Sequence, residues 1–378
     1  MNIYIVAASD AEQDEKRKLR WGDYWFKDSL AKALTAQGHT VSANPGECDV
    51  LINCHGSGIE NLPVHTWNVL WVIGHPDRVT ANECAQYDAV YAESEEYTAH
   101  LREQGVECAW LPGATDFVAM GSGDVPQSVF VGNWRPGREK MQGKYPLRIW
   151  GEGWTGHLPE GATLEGNEYP HDKLASLYGD SADLPNDTHA DMAKWGMHNP
   201  RYYDILATRG EPAPTFAECA ARIMAGVPEK RVMYDLGCGK QARRGMVGVD
   251  KAGGEGVIQA DLENGLGFGY GTSVIVADNV LEHIHNFIPL MNDCHEALRQ
   301  LPSAGRLHIT VPNAAKSLDA AFSDPTHVRQ FTPATFDYFN GEHTRWKEYG
   351  QTYGIKPWRV LYARERDGRF IDVMMRPA

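Results

Sequence analysis

Four apolar runs between Arg231 and Asn279 each stop on a carboxylate, and the first stops on glycines as well: RVMYDLGCG, GMVGVD, GVIQAD and SVIVADN. Short runs of this composition, bounded by Gly and Asp, read as strands covered on both faces. Open α/β sheets bind ligands outside the carboxyl ends of their strands. Asp235, Gly237 and Gly239 fall at such an end, where a missing Cβ lets the backbone approach a ligand closely. Asp250 ends the second strand eleven residues after Gly239, and a carboxylate there can hold both hydroxyls of a ribose. Asp261 ends the third, where a side chain can meet an adenine edge, and Asp278 and Asn279 end the fourth. RLHITVP, WRVLYARE and FIDVMM read as three later strands.

Upstream, the same alternation of strand and helix runs twice. From Met1 to about Thr115, the runs IYIVAA, DVLINCHG, WNVLWVIGHP, AVYAES and CAWLPGA alternate with helical patterns, and Asp28 to Gly38 reads as a helix stopped by its glycine. From Asp116 to Thr215, SVFVGNW, LRIWGEGW and ADLPND read as strands, and HDKLASLYGD and RYYDILATRG as helices. GEPAPT is a connector, because two prolines discourage regular structure, and FAECAARIMAGV a helix leading onward. The expected class is α/β with multiple Rossmann-like parallel-sheet units. The expected boundaries are 1–115, 116–215, a linker helix at 216–230, and 231–378.

Charge and cysteine usage narrow the partners. A formal net charge of −14 disfavours phosphate backbones, whose affinity comes from Lys and Arg displacing counterions. The seven cysteines are odd in number and include no C-x-x-C pair, which argues against a disulfide framework and a cysteine zinc site. The opening MNIYIVAASDAEQ lacks the basic and apolar regions of a signal peptide. No apolar run approaches the ~20 residues of a membrane span. A cytoplasmic protein without a membrane span is expected.

DLGCG, GVD, QADL and ADNVLEHI, in this order and spacing, resemble class I S-adenosylmethionine-dependent methyltransferases. The likeness runs on through GRLHITVPN. A dinucleotide-binding unit is the competing reading, but DLGCG lacks the G-x-G-x-x-G pattern. The resemblance implies that Asp235, Gly237 and Gly239 line the methionine part of S-adenosylmethionine. It puts Asp250 at the ribose, Asp261 at the adenine and Asn279 at the methionine end. KQARRGMVGVD is short for the family, so the helix after the glycine turn is expected to be clipped or absent. On the acceptor side, Asp324, His327 and Arg329 lie in AFSDPTHVRQFTPATFDYF. His327 is a candidate base for a hydroxyl, since neutral imidazole titrates near physiological pH. The competing reading is that DPTH is only a turn, with Asp324 as a cap. His283 and His285 flank the same region.

The first two stretches resemble the two lobes of GT-B-type glycosyltransferases, in a subgroup from bacterial surface-glycan and phage clusters. The resemblance rests on RKLRWGDYWFKDSLAKALTAQGHTV, WNVLWVIGHPDRVT, YDAVYAESEEYTAHL, LPGATDF and NDTHADMAKWGMHNPRYYDILATRG. It implies a Gly-rich loop at Gly22 and Asp23, and Asp116 at the crossing between lobes. It implies a nucleotide-sugar site from Gly132, Asn133, Asn186, Arg201 and Asp204. Arg201 near a helix start can meet a diphosphate. Asp204 can bind ribose hydroxyls, and the Gly132–Asn133 turn can offer N–H groups to phosphates. An i,i+3 ion pair between Arg201 and Asp204 is the plainer reading. Candidate bases are His75, then Asp23, then His55. No metal ligand set is expected, because positive groups replace the metal in such sites.

The expected function is a bifunctional enzyme. It would move a sugar from a nucleotide-diphosphate sugar and a methyl group from S-adenosylmethionine to a hydroxyl of a glycan or small glycoside. Modified bases in phage DNA stay open as an acceptor, disfavoured by charge. The alternative is one active domain beside a scaffold or sensor module.

Overall fold

The computed structural model describes residues 1–18, 22–54, 62–121, 123–229, 231–267, 271–300 and 305–378. The chain is mixed α/β with several parallel sheets. It divides into two compact units: Met1–Asn61 with Trp67–Val227, and Leu62–Thr66 with Pro228–Ala378.

The first unit carries two parallel sheets among the described residues. One is β1 (Asn2–Val6), β2 (Thr40–Val41), β3 (Val50–Cys54), β4 (Trp67–Val72), β5 (Ala89–Ala92) and β6 (Cys108–Trp110), in the order β2-β1-β3-β4-β5-β6. β3 and β4 are buried at every position, as expected of strands covered on both faces. The other sheet is β7 (Val125–Val131), β8 (Leu147–Trp150), β9 (Thr163–Gly166) and β10 (Ser181–Asp183), in the order β10-β7-β8-β9. β9 carries no long apolar run, which is why the sequence pattern does not announce it. The helix Phe216–Ala225, read from sequence as a linker, packs Phe216, Cys219, Ala220 and Ile223 into the core of the six-stranded sheet.

The helix expected from Asp28 begins earlier, at Gly22. Gly22 and Asp23 therefore stand in a helical first turn rather than in a loop. Asp23 suits that place: a carboxylate is favoured at a helix N-terminus, and it also accepts the Ser9 N–H at 2.6 Å. His55 lies outside the described residues.

The second unit holds all seven strands read from the sequence: β11 (Val232–Leu236), β12 (Val247–Asp250), β13 (Val257–Gln259), β14 (Thr272–Asp278), β15 (Arg306–Pro312), β16 (Trp358–Arg366) and β17 (Phe370–Pro377). Their order is β13-β12-β11-β14-β15-β17-β16. The first five are parallel, and β17 enters antiparallel beside β15. Residues 238–246 form turns without a helix, as the short segment predicts. Leu290, Met291, Cys294 and Leu298 of the helix Phe287–Leu298 cover one face of the sheet. Among the described residues, no helix is long and apolar enough to cross a membrane.

Candidate functional site

The tips of β11, β12 and β14 converge in the second unit. Gly237 and Gly239 have φ of 67° and 66°, a region that glycine enters without steric cost. A Cβ on Gly237 would stand 2.5 Å from the Val280 side chain, while one on Gly239 would meet open space. The first glycine thus allows a close turn and the second leaves an approach to the backbone. Asp250 is tied into that turn by both oxygens: Oδ2 accepts the Gly239 N–H and Oδ1 the Ala252 N–H, each at 2.8 Å. A carboxylate has about four lone-pair sites, so acceptor capacity for ribose hydroxyls remains.

Asp235 is buried, and Arg243 answers it. The Arg243 backbone N–H donates to Asp235 Oδ2 at 2.9 Å, and its guanidinium bridges Asp235 and Asp278. Arg243 thus spans the tips of two neighbouring strands. Asn279 sits in the left-handed region at φ 51°, with its N–H bonded to the Thr310 carbonyl. Asn279 Nδ2 donates to Asp278 Oδ1 at 2.8 Å. Asp261 lies just past β13, where it caps the turn Leu262–Asn264 and pairs with Lys251 at 2.8 Å.

DPTH is a turn: Asp324 Oδ1 accepts the Thr326 N–H at 2.8 Å and its hydroxyl at 2.6 Å. The same turn delivers His327 to Glu282. His327 Nδ1 donates to the Ala321 carbonyl at 3.0 Å, and Nε2 lies 4.0 Å from both Glu282 Oε1 and Asp324 Oδ2. Glu282 is buried, and burial pushes its carboxyl up to about 7. His283 shares the cluster, while His285 turns away to Glu263 at 3.0 Å. Arg329 is used structurally, donating to the His285 carbonyl and lying over the Phe287 ring.

In the first unit, three arginines gather on Asp187. Arg135 reaches it at 2.9 Å, Arg138 at 2.7 Å, and Arg201 at 3.6 Å. Burial alone would raise the Asp187 carboxyl, but Arg138 and Arg135 hold it below its ordinary value. Arg201 also donates to Asn186 Oδ1 and the Val131 carbonyl and stacks on Phe130. Its ionic partner is thus Asp187, which answers the sequence-level question of an i,i+3 pair with Asp204. The Gly132 N–H is spent on the Trp150 carbonyl at 2.8 Å. What Gly132 contributes is space, since a Cβ there would stand 2.7 Å from Arg201. Asn133 uses Oδ1 to accept the Glu152 N–H, and its carbonyl accepts from Arg138. Asp204 accepts the Thr115 hydroxyl at 2.6 Å, and burial raises its carboxyl to about 7.

Contacts join the two sheets of this unit. His75, left-handed at φ 48°, places Nδ1 3.6 Å from Asp191. Asp116 accepts from Ser29 at 2.6 Å, and Trp25 stacks on His171 with centroids 4.0 Å apart. Glu93, just beyond β5, accepts the Tyr203 hydroxyl and the His198 N–H. Burial raises its carboxyl to about 7. Sequence reading missed Glu93, Arg135, Arg138 and Arg243; only convergence in space marks them. No protein-family model matches the chain, and no curated protein matches it.

Proposed function

We propose that the chain is a bifunctional transferase, with an S-adenosylmethionine-dependent methyltransferase in the second unit and a nucleotide-sugar glycosyltransferase in the first. The observation that carries the reading is the row of strand tips at β11, β12 and β14. There Gly237, Gly239, Asp235, Asp250 and Asp278 lie along one edge of the sheet, where the strand order reverses at β11.

On this reading Asp250 holds the ribose and Asp261 meets the adenine. Asp235, Gly237, Gly239 and Asn279 line the methionine end. The acidic tips suit a sulfonium cation. In methyl transfer the acceptor oxygen forms a bond to the methyl carbon. The carbon–sulfur bond breaks, sulfur keeps its electron pair, and the hydroxyl proton leaves. His327 Nε2 is the candidate proton acceptor.

In the first unit, the guanidinium groups of Arg135, Arg138 and Arg201 would meet a diphosphate, and Asn186 and Asn133 frame the place. Asp204, bonded to Thr115, would act on the ribose side. His75 is the first candidate for activating the acceptor hydroxyl and Asp23 the second. Two activities on one chain raise the local concentration of a shared intermediate. The smallness of the four-stranded sheet favours, as a second reading, one live enzyme beside a scaffold module.

Mass spectrometry of small molecules released from the purified protein tests this. Recovery of S-adenosylhomocysteine together with a nucleoside diphosphate compound is expected. One of the two alone would favour the second reading, and neither would overturn both.

A further inference from the structure

The Glu282–His283–His327 cluster has the composition of a metal centre. A carboxylate oxygen of Glu282 and one nitrogen from each histidine lie within 4.8 Å of one another. Glu282 is only 1% exposed, and among the described residues its Oε2 has no hydrogen-bond partner. Such an atom is costly unless something polar meets it. The imidazoles are oriented for ligation. His327 Nδ1 must donate to the Ala321 carbonyl, which leaves Nε2 of the neutral ring with a lone pair, 4.0 Å from Glu282 Oε1. His283 Nδ1 likewise faces the Thr326 carbonyl, at 3.3 Å. The Glu282 carbonyl accepts the N–H groups of Val328 and Arg329, so the DPTH turn is fixed beside it.

We infer that Glu282, His283 and His327 bind a divalent transition-metal ion. Two imidazoles and one carboxylate suit zinc and its first-row neighbours, not magnesium or calcium, which take oxygen ligands. Ligand atoms at about 2.0–2.2 Å from such an ion stand roughly 3–3.5 Å apart. The observed 4.0 Å between His327 Nε2 and Glu282 Oε1 closes to that by small side-chain rotations. With three protein ligands, a position stays open for an outside oxygen. On the methyltransferase reading that oxygen is the acceptor hydroxyl, whose pKa the ion lowers, and the ion then replaces His327 as the activating group, because a coordinated Nε2 has no lone pair left for a proton. This role rests on that reading; the site itself does not.

Cobalt is the probe. The full chain, stripped with EDTA and dialysed, is titrated with Co²⁺, and visible d–d absorption is followed. One equivalent should saturate the signal, and Zn²⁺ should displace it. Glu282→Gln keeps shape and volume and is expected to weaken Co²⁺ binding at least roughly tenfold, as is His327→Ala. Circular dichroism in EDTA verifies folding, and Glu282→Gln carries the test if His327→Ala does not fold. Asp191→Asn, which alters the His75–Asp77–Asp191 group, should leave binding unchanged. Three results would each overturn the site: no saturable binding by the wild type, wild-type binding by Glu282→Gln, or loss of binding in Asp191→Asn. Calorimetry with S-adenosylhomocysteine in EDTA separates the two claims. Binding of that ligand without Co²⁺ binding sinks the metal site alone; Co²⁺ binding without it sinks the methyltransferase reading alone.

Discussion

Around Asp187 three guanidinium groups share one carboxylate, whereas around Arg243 two carboxylates share one guanidinium. The first cluster keeps surplus positive charge in a half-buried place and the second keeps surplus negative charge. On the proposed function, a ligand of opposite sign would compensate each surplus: a diphosphate in the first unit, a sulfonium in the second. The contrast also bears on stability. Asp187 has several partners and can lose one, while Asp235 is buried with one cation beside it.

Attempts to break the contrast begin with Gly237→Ala. The positive φ and the 2.5 Å approach to Val280 leave no place for a Cβ. A loss of about 3 kcal/mol or more in chemical denaturation is expected, with loss of S-adenosylhomocysteine binding. Wild-type stability would show that the tip is not shaped as described.

Arg243→Ala comes next. Among the described residues it leaves Asp235 with the backbone N–H of residue 243 as its partner. The cost should be about 2–3 kcal/mol, below the range for a fully buried pair because Arg243 is half exposed. Arg135→Ala is its counterpart in the first unit and should cost under about 1 kcal/mol. Equal losses in the two variants would erase the comparison.

Among the described residues of the first unit, Glu93 is a buried carboxyl with no cation beside it, and it gives a pH signature. Its folded pKa of about 7 lies above the ordinary 4.5, so the folded state holds its proton more tightly. Its stabilising share is complete below about pH 4.5 and is lost as pH rises through 7, by roughly 3 kcal/mol. Thermal denaturation of Glu93→Gln should show a flatter decline across that window, and an unchanged profile would contradict the assignment.

A selective effect on binding is expected of Arg201→Ala. One lost charge-assisted contact should weaken a nucleoside diphosphate about tenfold to a hundredfold by calorimetry. S-adenosylhomocysteine binding should not move.

Strand tips were legible because they are local: DLGCG, GVD, QADL and ADNVLEH each combine an apolar run with its terminal polar residue. Four of the seven strands of the second unit follow from that pattern and three from apolar runs alone, while the missing helix before β12 follows from the shortness of KQARRGMVGVD. The arginine cluster was not legible beyond Arg201. Arg135 and Arg138 reach Asp187 from 52 and 49 residues away, and no spacing rule covers such a distance. The meeting of Glu282 with His327 is hidden in the same way, since it joins the end of β14 to the turn after β15. The Gly22–Asp23 helix start was misplaced because glycine weakens a helical signal. Asp23's bond to Ser9, made outside the helix, compensates.

The central claim is that opposite charge surpluses serve two different ligands. Its most direct test is a crossed titration of the wild type, Asp250→Ala and Arg201→Ala with S-adenosylmethionine and uridine diphosphate, read by calorimetry. The account predicts that Asp250→Ala loses only the first ligand and that Arg201→Ala loses only affinity for the second. Failure of the wild type to bind either ligand, or loss of both in one folded variant, would contradict it.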